Sequence, residues 1–123
     1  MNAFINLGYV SHVNGVGYID NNVADIKYFL YQYQILLVEM RATDGVLNMN
    51  KNTPLGYELC PNGSTGTVQS DDLTKGFIAC GYDNTFLYLQ NNLSVRVGSF
   101  GFHKIKWSTA NNLIVKCCTF NLS

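Results

Sequence analysis

The sequence predicts an all-β domain, mainly antiparallel, built as a sandwich or barrel that closes with a C-terminal meander. Three observations lead there. β-branched and aromatic residues gather in short runs. Turn-forming pairs punctuate those runs: Asn14-Gly15, Asp44-Gly45, Asp83-Asn84 and Asn91-Asn92. Several runs alternate apolar and polar residues, as half-buried strands do.

In chain order, residues 7–13 and 16–19 read as two strands around the Asn14-Gly15 turn. Segment 23–34 has two readings. As the one helix of the chain it is capped by Asn22 with Asp25 in the first turn, and Ile26, Phe29, Leu30 and Tyr33 begin an apolar stripe that continues to Leu37 and Met40. As strand it has the β-formers Tyr28, Phe29, Tyr31 and Tyr33. Residues 35–43 read as strand, turning at Asp44-Gly45 so that Met40 faces Met49 and Ala42 faces Leu47. Residues 50–76 contain Pro54 and Pro61 and read as turn and loop, with short strands at 55–60 and 66–69. The meander follows, with five strands at 77–82, 85–90, 93–97, 102–107 and 113–120 and a loop at 108–112. In the fourth strand His103, Ile105 and Trp107 share one face. Phe102, Lys104 and Lys106 share the other, which the lysines mark as the wetter.

Composition narrows the function. The 123 residues suit a single domain, 1–123, and 47% of them are hydrophobic, enough for a core. Charged residues are 13% with zero net charge, so nothing supplies the cationic footprint of a nucleic-acid partner. Apolar runs are too short for membrane insertion, and Met1-Asn2-Ala3-Phe4 lacks the basic start and long apolar stretch of a signal peptide. Asn outnumbers every other residue type. A neutral, amide-rich surface favours association, so a homo-oligomer such as a trimer is expected. Three Asn-x-Ser/Thr sequons, at Asn62, Asn92 and Asn121, occur about as often as composition alone predicts.

The reactive residues are few. Cys60, Cys80, Cys117 and Cys118 allow three pairings, of which Cys60 with Cys80 is the best bridge; four free thiols are the simpler expectation. If Trp107 pairs with Leu113, His103 falls opposite Cys117, a thiol beside an imidazole. Asp71 and Asp72 are the only adjacent carboxylates and lack calcium-loop spacing. No P-loop, GxGxxG, HExxH or GxSxG is present. The expectation is therefore no catalytic constellation, no metal and no cofactor. Ligand contact is expected instead at Tyr82 with Asp83 and Asn84, and at Trp107 with Asn111 and Asn112. There an aromatic ring lies beside amides suited to a sugar or peptide.

Three functions fit these features. The first is a non-enzymatic recognition domain, such as a viral or bacteriophage attachment domain that binds a protein or glycan receptor at the virion or extracellular surface. The second is a structural assembly subunit of a particle or tail. The third is a small enzyme or toxin that uses Cys117 or Cys118 with His103.

Overall fold

The computed structural model describes residues 13–19, 22–33, 35–47, 57–68, 74–92 and 95–122. Nine elements run in the order β1 (Val13–Ile19), α1 (Val23–Tyr33), β2 (Leu36–Arg41), α2 (Asp44–Leu47), β3 (Thr74–Tyr82), β4 (Phe86–Gln90), β5 (Phe102–Lys106), α3 (Trp107–Leu113) and β6 (Ile114–Leu122). The fold is α+β, one antiparallel sheet with helices, and not the all-β sandwich or barrel expected.

Segment 23–33 is helix because its ends and its faces agree. The Asn22 side chain accepts from the Asp25 backbone N–H at 2.8 Å and donates to the Asp25 carboxylate at 2.8 Å, a reciprocal cap. Ile26 and Leu30 then lie buried, while Tyr28 and Tyr31 are 60% and 80% exposed. Tyr28 and Tyr31, which favour strand, are on the outer face, where packing gives them no vote.

In β2, Leu36, Val38 and Met40 are fully buried and alternate with partly buried neighbours. The strand does not turn back at Asp44-Gly45. Asp44 N–H donates to Thr67 O at 3.1 Å and Gly45 N–H to Thr65 O at 3.0 Å, so segment 57–68 docks here and the chain winds into α2. Gly45 is needed for close approach. A Cβ there would lie 2.6 Å from Cys60 Sγ and 3.0 Å from Thr65 O.

The six strands are ordered β1-β6-β2-β3-β4-β5. From β2 to β5 the chain meanders; β6 then returns to lie between β1 and β2. β5 and β6 therefore point the same way and need a crossover, which α3 supplies. Four strand spacings span about 19 Å in a flat sheet, and the residues of α3 rise only about 10 Å. The sheet must curl for the connection to close. One face of it, with Leu36, Val38, Met40, Phe77, Ala79, Leu87, Leu89, Ile105 and Cys117, packs with Ile26 and Leu30 of α1 and Ala110 and Leu113 of α3 in a single core.

Several expected elements are absent. Asn14-Gly15 lies within β1, which runs through to Ile19 with an irregularity between Val13 and Gly15; residues 7–12 lie outside the described residues, as does Met49. The alternating residues at 95–97 form turns instead of a strand. The loop at 108–112 is helix α3, so Trp107 does not pair with Leu113 and the five-strand meander is a shorter one. The predicted faces of β5 hold: His103, Ile105 and Trp107 are buried, and Phe102, Lys104 and Lys106 are not. Of the two short strands suggested in the loop, single bridges remain, Glu58 with Lys104 and Thr43 with Val68. Among the described residues no helix is long and apolar enough to cross a membrane.

Replacing Gly45 by Ala should force Cys60 and segment 57–68 away from α2. Urea unfolding should report a loss of about 1–3 kcal/mol, and Cys60 should alkylate faster than in the parent protein.

Candidate functional site

The thiol–imidazole pair that a Trp107–Leu113 register would place on the C-terminal strands does not form. β5 pairs with β4, whereas Cys117 in β6 is opposite Val38 of β2 and Ile19 of β1. All four cysteines are free, so the Cys60–Cys80 bridge is excluded. Cys60, Cys117 and Cys118 are buried and Cys80 is partly so. Burial pushes all four thiols above their ordinary value, Cys117 to about 12. The two vicinal thiols point to opposite faces of β6, yet both find cover. A thiol raised in this way is a poor nucleophile at neutral pH.

His103 is fully buried. Its Nε2 lies 2.8 Å from Asn91 Nδ2, which also donates to Val97 O at 3.1 Å. That second bond fixes the amide orientation, so Nε2 accepts and the ring proton sits on Nδ1. The hairpin after β4 closes over the ring. A Cβ at Gly98, where φ is +73°, would come within 2.6 Å of His103 Cε1 and 2.4 Å of Phe102 O. At the hairpin tip Phe100 and Gly101 both have positive φ, and Ser99 and Phe102 exchange backbone bonds at 2.9 and 3.0 Å. The imidazole–amide pair thus holds a loop in place and is closed to substrate.

The expected ligand residues divide into two groups. Tyr82, Asp83 and Trp107 come together, with the Tyr82 and Trp107 rings 6.2 Å apart and Trp107 Nε1 donating to Asp83 O at 2.9 Å. Asp83 uses its carboxylate locally. The Tyr88 hydroxyl, then the Phe86 and Thr85 amides, hold it below the usual carboxylate range, and Tyr88 is raised in return. The Lys27 ammonium stands over both rings, 5.7 Å from Tyr82 and 5.3 Å from Trp107. Asn84, Asn111 and Asn112 are exposed. Asn112 caps back to Ser108 O at 3.4 Å.

Sequence reasoning missed a second base–amide pair. Lys75, at the start of β3, donates from Nζ to Asn92 Oδ1 at 3.0 Å. The β3–β4 register, with Ile78 opposite Gln90, brings Asn92 beside this end of β3. Lys75 shares the sheet face of Phe77 and Ala79, and burial there lowers its ammonium below the ordinary lysine value. The available signal is a lysine in phase with the apolar Phe77 and Ala79, in a stretch whose turn-rich flank hides the strand start. Among the described residues no three His, Cys, Asp or Glu side chains gather as metal ligands.

No family model and no curated protein matches the chain. Solved structures do. Xylellain, a cysteine protease from Xylella fastidiosa, superposes with a TM-score of 0.68 at 11% identity, over 90% of this chain and 41% of its own. The Carica candamarcensis cysteine protease CMS1MS2, in complex with E-64, gives 0.63 at 15% identity, over 90% and 50%. The chain shares its fold with part of each of these two structures. It spans half or less of the length of either enzyme. This overturns the expectation of a non-enzymatic viral or bacteriophage attachment domain and of a particle or tail subunit, because the neighbours are enzymes and none of them supports receptor binding.

Two outcomes follow from the buried groups. Removing the Asn91 amide (Asn91→Ala) leaves His103 Nε2 without that donor and should cost about 1–3 kcal/mol in urea unfolding. The Cys117 thiol keeps its proton in the folded state after the unfolded state, near its ordinary 9.0, has lost it. Stability should therefore fall as pH rises from 9.0 toward about 12, by up to about 1.4 kcal/mol per pH unit. Cys117→Ala should flatten that decline.

Proposed function

We propose that this chain forms the part of a cysteine-protease-fold enzyme that lacks the nucleophile, acting in acyl transfer from peptides. The observation that carries the reading is the superposition of 90% of the chain on two cysteine proteases, of which it spans 41% and 50%. The thiols support it from the other side. An attacking sulfur has to be a thiolate near neutral pH. Cys60, Cys80, Cys117 and Cys118 are all raised by burial, and the residue facing His103 across β4 and β5 is Leu89. The nucleophilic cysteine then belongs to the part of the fold that this stretch does not span. This part would help shape the peptide cleft and supply groups that move protons.

The test combines the chain with the polypeptide that completes the fold, using a fluorogenic peptide substrate and the thiol-directed epoxide E-64. The completed assembly should hydrolyse the peptide, and the epoxide should abolish that activity. The isolated chain should be inactive, with its four cysteines unlabelled by mass spectrometry. Epoxide on any of the four, or a completed assembly without hydrolysis, would sink the reading.

A further inference from the structure

An imidazole in water gains its second ring proton at about pH 6.5. The His103 ring has no place for one while its surroundings are closed. It is fully buried, and Nε2 accepts from Asn91 Nδ2 at 2.8 Å. The same Nδ2 donates to Val97 O at 3.1 Å. A proton on Nε2 would set one N–H against another. Turning the amide round would relieve the ring only by setting Asn91 Oδ1 against Val97 O. Either way the bond that ties Val97 down is lost.

We propose that His103 and Asn91 form an acid-released latch on residues 95–102: the neutral ring keeps this hairpin shut, and a proton on Nε2 opens it. The hairpin is the part that has to lift before water reaches the ring. Gly98 lies on the ring edge, where a Cβ would fall 2.6 Å from Cε1 and 2.9 Å from Nδ1. The backbone bonds that shut it are Asn91 N–H to Gly101 O at 2.9 Å and Gly101 N–H to Val97 O at 3.2 Å. Of its described residues, Val97 and Gly101 are buried, while Val95, Arg96, Ser99 and Phe100 are exposed, Phe100 by 83%. Lifting such a segment costs less than opening the sheet.

The charges around the ring oppose a second proton. Phe77 of β3 meets the ring edge-on at 6.0 Å, and the charged residue sharing its sheet face is Lys75. The hairpin adds Arg96, and β4 carries no charged residue. On β5, Lys104 and Lys106 are on the other face. The described carboxylates have other places: Asp25 in the first turn of α1, Glu39 opposite Lys116, Asp44 on the Thr67 amide, Glu58 opposite Lys104, and Asp83 on Tyr88. The closed form therefore holds one ring proton, whereas the open form takes two in acid. Closure is fully present above the ordinary histidine value and is lost as pH falls below it. The open population should rise by up to about tenfold per pH unit below about 6.5.

Hydrogen exchange on the whole chain, corrected for the intrinsic pH dependence of amide exchange, tests this. The Asn91, Gly101 and Phe102 amides should lose protection by up to about tenfold per pH unit below about pH 6.5, while the β2–β3 ladder keeps its own. By 15N NMR the His103 ring should be the Nδ1–H tautomer while the hairpin is protected and imidazolium once it opens. His103→Gln keeps an acceptor that takes no proton, so its hairpin should be indifferent to acid. Asn91→Asp gives Nε2–H a carboxylate to meet, so its hairpin should keep its protection in acid. If either variant fails to fold, the wild-type exchange and ring spectra still decide. Hairpin protection that is constant across this pH range, an imidazolium signal beneath a fully protected hairpin, or protection lost from all strands together would overturn the latch, as would a folded His103→Gln chain that still opens in acid.

Discussion

The crossover from β5 to β6 constrains everything else in this fold. Two strands that point the same way cannot be joined by a tight turn, and the helix that joins them is short. A flat sheet would leave its ends unconnected. Curling brings the flanks inward, places α3 against β2, β4 and β5, and lets α1 share the same core. The helix start is tied to the β3–β4 turn, because Trp107 N–H donates to Thr85 O at 3.0 Å and Trp107 Nε1 to Asp83 O at 2.9 Å. Those bonds occupy polar atoms that a free loop would offer to a ligand.

The curl also decides where chemistry can occur. Side chains in mid-strand on the concave face, such as His103 and Cys117, are fully buried. Only where strands end does a polar group on that face reach the boundary. Lys75 and Asn92 are at such an end. Partial burial at this end disfavours the Lys75 ammonium, though less than full burial would.

The strand content was legible because β3 and β4 are apolar, β-prone runs on either side of a turn at Asp83, whose side chain caps the Thr85 and Phe86 amides, and because β5 alternates. The helix at 23–33 was half-legible through Asn22 and Asp25. What misled was local chemistry reused for another purpose. Asp44-Gly45 has the composition of a hairpin turn, but the glycine is there to admit Cys60. Val95 and Val97 alternate like a strand, yet Gly98 and Gly101 at positive φ fold that stretch over His103. Trp107-Ser108-Thr109 lacks a helix cap, and tertiary bonds from the β3–β4 turn replace one. The pair at Lys75 and Asn92 joins β3 to the segment after β4, through a register no local pattern encodes.

The chain has a single tryptophan, and it is buried, with the Lys27 ammonium of α1 5.3 Å from its ring and Tyr82 edge-on. An indole beside a cation, with its N–H pinned to a carbonyl, has emission that depends on both neighbours. Any displacement of α1, as when another polypeptide docks on its outer face, is therefore written into the colour and intensity of one fluorophore, without a label.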